Sequence, residues 1–260
     1  MISLARSAVE NDRIVPYYQP KVDLATGAVD GFEALLRWRD SRGGIHGAET
    51  ISAAFEDISL AANISDTMID LVLADVARWQ KAGLPFRHVA INVAAAELRR
   101  GDFAERLLER LAAASVPTDF IQVEVTESVF VGRSADYVHS ALKLLSAEGV
   151  AVALDDFGTG FASLTHLKQF PVDIIKIDKS FIGDLTSEGE DTAIVRAVVG
   201  LGRNLGMKVV AEGVETPSQA QFLRELGCPL GQGFLFGKAM SARFTEQRLR
   251  PGPNGRSLAA

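Results

Sequence analysis

Short apolar runs alternate with longer amphipathic stretches along the whole chain. The first run, IVPYYQPKVDL (Ile14 to Leu24), is followed across ATGAVDG by FEALLRW (Phe32 to Trp38). A connection this short predicts a hairpin, so the two strands are expected to be antiparallel. A helix is predicted over Ile64 to Lys81, where Met68, Leu71, Val72, Val76 and Trp79 recur at three- and four-residue steps. HVAINVA (His88 to Ala94) then leads into a helix ending near Ala114. FIQVEVTE (Phe120 to Glu127) precedes a helix to Glu148, and VAVALDD (Val150 to Asp156) and VDIIKID (Val172 to Asp178) follow. A helix from Asp191 to Leu205, MKVVAEG (Met207 to Gly213), a short helix from Ser218 to Leu226 and GQGFLFG (Gly231 to Gly237) complete the series.

This gives eight strands, and from the third onward each is short, apolar and followed by a helix. Such runs suit parallel strands covered on both faces. The pattern predicts an α/β protein, a (β/α)8 TIM-type barrel with an antiparallel first strand. Residues 14–248 form the predicted domain, with 1–13 an N-terminal extension or linker stub and 249–260 a flexible tail.

Composition narrows the function. A net charge of −6 gives no basic face for a nucleic acid polymer. The one cysteine, Cys228, excludes an internal disulfide and reads as a small core residue. No apolar run is long enough to span a membrane, and MISLARSAVENDR does not read as a signal peptide, so a cytoplasmic location is expected.

The chemistry lies near the strand ends. Glu33 and Arg37 stand in the second strand, Asn92 in the third, and Glu124 and Glu127 in the fourth. Asp155 and Asp156 close the fifth, Lys176 and Asp178 the sixth, Glu212 the seventh, and Gln232 opens the eighth. Taken singly, adjacent aspartates suit a turn or helix cap, Lys176 an edge strand, and Glu33 a solvent-facing position. In a barrel, however, strand C-termini converge on one face. There the same residues form a set of carboxylates with one lysine and no histidine or cysteine. Such hard oxygen donors suit Mg²⁺ or Mn²⁺. Two such ions about 3.5–4 Å apart would serve an in-line phosphoryl displacement.

Together, YYQP, FEALLRW (with Glu33-Ala34-Leu35), INVA, VEVTES, LDDFGTGFASL, VDIIKIDKSFI, VVAEGVET and GQGFLFGKA resemble the blocks of the EAL domain family, in order, over roughly Ile14 to Met240. The resemblance implies a phosphodiesterase that cuts cyclic di-GMP to linear pGpG with two Mg²⁺ or Mn²⁺ ions, Ca²⁺ inhibiting. It implies Glu33, Asn92, Glu124, Asp155, Asp156 and Glu212 as metal ligands, with Asp155 bridging. Lys176 and Glu212 would act on the attacking water. Gln19, Leu35, Arg37, Asp178 and Gln232 would contact substrate. Glu127 would anchor the loop from Phe157 to Ser163. It further implies a homodimer, and sensory or GGDEF domains that do not fit within this chain.

Departures are Phe234 where tyrosine is frequent, Ala239 where proline is usual, and ETISAAFEDISLA (Glu49 to Ala61) in place of a phenylalanine–isoleucine–proline pattern. That last segment is expected in a helix far from the chemistry. Two alternatives are a catalytically weak receptor that relays cyclic di-GMP binding to a partner, and another Mg²⁺-dependent barrel enzyme that abstracts a proton beside a carboxylate.

Overall fold

The structure, a computed structural model, describes residues 2–98, 101–130, 135–158, 160, 164–183, 185 and 189–250. Its strands are β1 (Ile14–Asp23), β2 (Val29–Arg39), β3 (Ile45–Gly47), β4 (His88–Asn92), β5 (Ile121–Thr126), β6 (Ala151–Phe157), β7 (Ile174–Ile177), β8 (Lys208–Ala211), β9 (Leu230–Gln232) and β10 (Met240–Ser241). They form one sheet in the order β10-β1-β9-β8-β7-β6-β5-β4-β2-β3, and β1 also pairs with β2. That pairing closes eight strands into a barrel, with the short β3 and β10 added outside the predicted set. β1 runs antiparallel to β2 and β9, while the remaining barrel pairs are parallel. The hairpin and the barrel are therefore as the sequence predicts.

The helices are α1 (Ile2–Glu10), α2 (Ile58–Lys81), α3 (Ala95–Leu98), α4 (Phe103–Ala114), α5 (Ala135–Ala147), α6 (Leu164–Gln169), α7 (Glu190–Leu205), α8 (Pro217–Leu226) and α9 (Ala242–Leu249). Alternation along each strand divides the apolar residues. Leu154, Ile175 and Val209 join the large core under the helices. Their neighbours Ala153, Ile174 and Val210 form a separate cluster with Leu230, which places that set inside the barrel. Helix α1 packs Ala5 and Ala8 against Ile14, Trp38, Ile51 and Ile64.

Three details differ from the sequence reading. Helix α2 starts at Ile58, not Ile64, because the Asp57 side chain accepts from the backbone N–H groups of Ser59 and Leu60 and so caps it earlier. The last barrel strand stops at Gln232, because Gly233 turns the chain tightly against Val214. Residues Ala48–Glu56 form a 3₁₀ segment kinked at Ile51 rather than a regular helix. Of the tail expected over 249–260, residues 251–260 lie outside the described residues.

Cys228 is buried, and burial pushes its thiol up to about 12, as befits a core residue. His88 lies at the N-terminal mouth of the barrel. Burial, aided by Lys21, holds its imidazole down at about 4, against the pull of Asp30 and Glu124.

Two predictions follow from this packing. A Cβ on Gly233 would lie 2.1 Å from the Val214 carbonyl oxygen. Gly233→Ala should therefore cost about 1–3 kcal/mol in denaturant unfolding. The second concerns pH. An unfolded histidine titrates near 6.5, so as pH falls from 6.5 toward 4 the unfolded chain takes up a proton that folded His88 refuses. Stability then falls with pH across that window, and thermal melts of His88→Gln should show a shallower fall than the wild type.

Candidate active site

The C-terminal strand ends carry the predicted polar residues to one mouth. Glu33 (β2), Glu124 (β5) and Lys176 (β7) are 5, 1 and 1 % exposed, so neither the solvent-facing reading of Glu33 nor the edge-strand reading of Lys176 holds. Lys176 sits at the centre. Its Nζ lies 2.6 Å from Glu124 Oε2, 2.8 Å from Glu212 Oε1, 3.0 Å from Asp155 Oδ1 and 3.7 Å from Glu33 Oε2. Burial opposes its charge, yet these acids hold the ammonium well above its usual range. Burial likewise works to raise Glu124, but Lys176 and Lys21 overcome it and hold the carboxyl down at about 2. Burial pushes Glu212 up to about 7 against the pull of Lys176.

Neighbouring strand residues normally point to opposite faces. Asp155 and Asp156 escape this rule. The β6–β7 register shifts between Leu154 and Phe157, and Asp156 has φ 55°, a left-handed conformation that aspartate tolerates better than most residues. Asp155, Asp156 and Glu212 consequently place carboxylate oxygens within 4.8 Å of one another. Burial, then Asp155 and Asp178, raise the Asp156 carboxyl.

The remaining polar residues form a hydrogen-bonded rim. Asn92 donates to Glu33 Oε1 at 2.7 Å, and Gln232 donates to Glu33 Oε2 at 2.6 Å. Gln232 Nε2 also reaches Gln19 Oε1 at 3.3 Å, and Gln19 donates to the Gly237 carbonyl. Gln232 Oε1 is buried with no hydrogen-bond partner. Asp178 caps the turn after β7 through Ser180 N–H. Glu127 is buried and accepts from Gly158 N–H at 2.9 Å. A Cβ on Gly160 would stand 2.5 Å from its other oxygen, so the carboxylate lies against the loop after β6. Residues 159 and 161–163 of that loop lie outside the described residues.

A cavity of about 620 Å³ adjoins this mouth. Leu35, Arg37, Asn92 and Glu124 line it together with Phe55, Ile64 and Met68. Arg37 donates to the Leu36 carbonyl and forms no ion pair among the described residues. Ala48, Glu49, Phe55 and Ala61 also line the cavity. The segment from Glu49 to Ala61 is therefore beside the site, not far from it: the kink at Ile51 folds it back over the end of β2. The sequence reading also missed Lys21 and Gln122. Lys21 is wholly buried and donates to Glu124 Oε1 and, at 2.8 Å, to Gln122 Oε1. Its signal was present, since Lys21 is two residues from Gln19 and so shares its face of β1.

The donor set fits a hard divalent cation. It consists of oxygens only, three carboxylates already converge, and Gln232 leaves a buried acceptor unused.

A family model described as EAL domain matches residues 3–239. The chain is 38% identical over 237 residues to the bifunctional diguanylate cyclase/cyclic di-GMP phosphodiesterase MucR of Pseudomonas aeruginosa, covering 91% of this chain and 34% of that protein. The chain thus spans about a third of the length of this curated relative. A solved structure of the PaMucR phosphodiesterase in complex with c-di-GMP superposes with a TM-score of 0.86 at 38% identity, covering 92% of this chain and 97% of that one. The calcium and cyclic di-GMP complex of BlrP1 from Klebsiella pneumoniae gives 0.74 at 30% identity, covering 88% and 56%.

If Lys176 neutralises this cluster, Lys176→Met should destabilise the chelator-treated protein by roughly 3–5 kcal/mol, since it strands buried acids. Lys208→Met, on an exposed side chain, should change stability by less than about 0.5 kcal/mol. Denaturant titrations of both variants, with added Mg²⁺ partly restoring the first, check this.

Proposed function

The chain belongs to the EAL domain family, and from that premise we propose that it is a divalent-metal-dependent phosphodiesterase hydrolysing cyclic di-GMP to linear pGpG. The observation that carries this reading is the meeting of four carboxylates around Lys176 Nζ within 3.7 Å, beside the Asp155–Asp156–Glu212 cluster.

Glu33, Asn92, Glu124 and Asp155 would hold one ion, and Asp155, Asp156 and Glu212 a second. Such ions, when bound, supply Lewis-acid polarisation of a phosphate oxygen and activation of water. Mg²⁺ or Mn²⁺ suits this role. Ca²⁺, with longer and looser coordination, is expected to occupy the site and inhibit. The calcium-containing BlrP1 complex is in keeping with that expectation.

The chain's own residues supply the rest. Arg37, with no acid partner among the described residues, is suited to a two-pronged hydrogen bond to a substrate phosphate. Gln19, Leu35, Asp178 and Gln232 would contact and orient the nucleotide. In the reaction a water oxygen bonds to phosphorus, the P–O3′ bond breaks, and a proton from the water ends on the released 3′-oxygen. Lys176, surrounded by acceptors, acts as a donor toward the attacking water and the charge that develops on phosphorus. Glu212, whose Oε1 lies 2.8 Å from Lys176 Nζ, would help orient the same water. Glu127 positions the loop after β6 through Gly158 N–H.

The test is hydrolysis of cyclic di-GMP by purified protein with Mg²⁺ or Mn²⁺, followed by chromatography of the product. The wild type should yield pGpG, and Asp155→Asn and Lys176→Ala should each lower kcat by at least about 100-fold. Tight binding without product under either metal would overturn the enzyme reading in favour of a receptor.

A further inference from the structure

We propose that Lys21 is a positioning residue that fixes Glu124 from beneath, so that only one of its oxygens is offered to the mouth. The proposal rests on the reading of that mouth as a metal site. Glu124 is held between two ammonium groups, with Oε2 meeting Lys176 at 2.6 Å and Oε1 meeting Lys21. Both Lys21 and Glu124 have fully buried side chains.

Lys21 belongs to β1 and Glu124 to β5, which are not neighbours in the sheet. The lysine therefore reaches across the barrel interior. It meets Glu124 on the side away from Lys176, where its second acceptor, Gln122, stands two residues before Glu124 on the same strand. An apolar residue of similar length would avoid the cost of burying an ammonium. Nothing else among the described residues takes up that charge, so its position makes physical sense through Glu124 and Gln122 alone.

Lys176 contacts several carboxylates at once, and a cation entering the mouth must share their oxygens with it. Among carboxylates of the described residues Lys21 pairs with Glu124 alone, from the rear, and its second bond to Gln122 holds it there. Without Lys21, Oε1 would have no donor in the barrel interior. The carboxylate would then be free to turn both oxygens toward Lys176 and withdraw from the mouth. Outer partners of this kind are typically worth about 10–100-fold in metal affinity.

The experiment is calorimetric titration of Mn²⁺ into the chelator-stripped full chain, with thermal melts of every variant. Lys21→Met is expected to weaken Mn²⁺ binding by about tenfold or more while remaining folded. Lys21→Arg, whose fork can reach both acceptors, should restore most of that loss. Unchanged affinity in folded Lys21→Met overturns the proposal. So does tighter binding, which would make Lys21 a mere electrostatic counterweight to the cation. Should Lys21→Met not fold, the charge-balanced pair Lys21→Met/Glu124→Gln decides. It should bind Mn²⁺ no more weakly than Glu124→Gln alone, and a further loss would show that Lys21 acts elsewhere. Because the readout is metal binding, a wild type that binds Mn²⁺ without hydrolysis would defeat the proposed function and leave this inference standing.

Discussion

Acids crowded at one end of a narrow cylinder repel one another, and out of water each is driven to give up its charge. The rest of the site depends on how that repulsion is met. Lys176 meets it from the centre, within 3.7 Å of carboxylates supplied by β2, β5, β6 and the end of β8. No two consecutive segments of chain could supply this arrangement. It needs strands from across the sequence to end side by side, which happens only when β1 pairs with β2 and closes the barrel. The ion cluster and the fold therefore require each other. Closure gathers the acids, and the lysine offsets their mutual repulsion once gathered.

Two irregularities adapt a regular barrel to this purpose. The first is the reversed β1. Along it Gln19 and Lys21 point inward two residues apart, Gln19 joining the rim with Gln232 and Lys21 reaching below to Glu124. The second is the register shift after Leu154, with Asp156 in a left-handed conformation. An unbroken strand would send one of the two aspartates into the helix-facing core. The bulge turns both toward Glu212 at some backbone cost, of the kind that tends to be kept where a site needs it.

Much of this was legible in the sequence, for reasons that can be named. Apolar run lengths and the short ATGAVDG turn gave the strands and the hairpin, because helix-covered parallel strands cannot alternate in polarity. Strand-end placement gave Glu33, Asn92, Glu124, Asp155 and Lys176, because a barrel brings those ends together. Other features were hidden by their own chemistry. Asp57 was not read as a cap in the sequence, yet its cap moves the start of α2 from Ile64 to Ile58. The segment from Glu49 to Ala61 has helix-like periodicity, but the kink at Ile51 folds it over the cavity beside Arg37. Lys21 lies near the end of β1, where a charged residue usually marks an exposed face. Its two-residue spacing from Gln19 was the sequence signal that it faces in, and the cross-barrel partner, a hundred residues away, gives the reason.

The two buried lysines are thus not equivalent, although each neutralises Glu124. Lys176 has more carboxylates than donors to satisfy them well, and its 3.7 Å contact with Glu33 is already loose. An ammonium in that position is exchangeable, because another cation can relieve the same repulsion. Lys21 has two acceptors at hydrogen-bonding distance, and the carboxylates other than Glu124 are not among its partners. It is tied to one oxygen from the side opposite the mouth. A site that must accept a cation without collapsing needs both kinds of charge. One must be able to yield oxygens as the cation arrives. The other must hold the shared carboxylate still while that happens, and the geometry divides these tasks between the two residues.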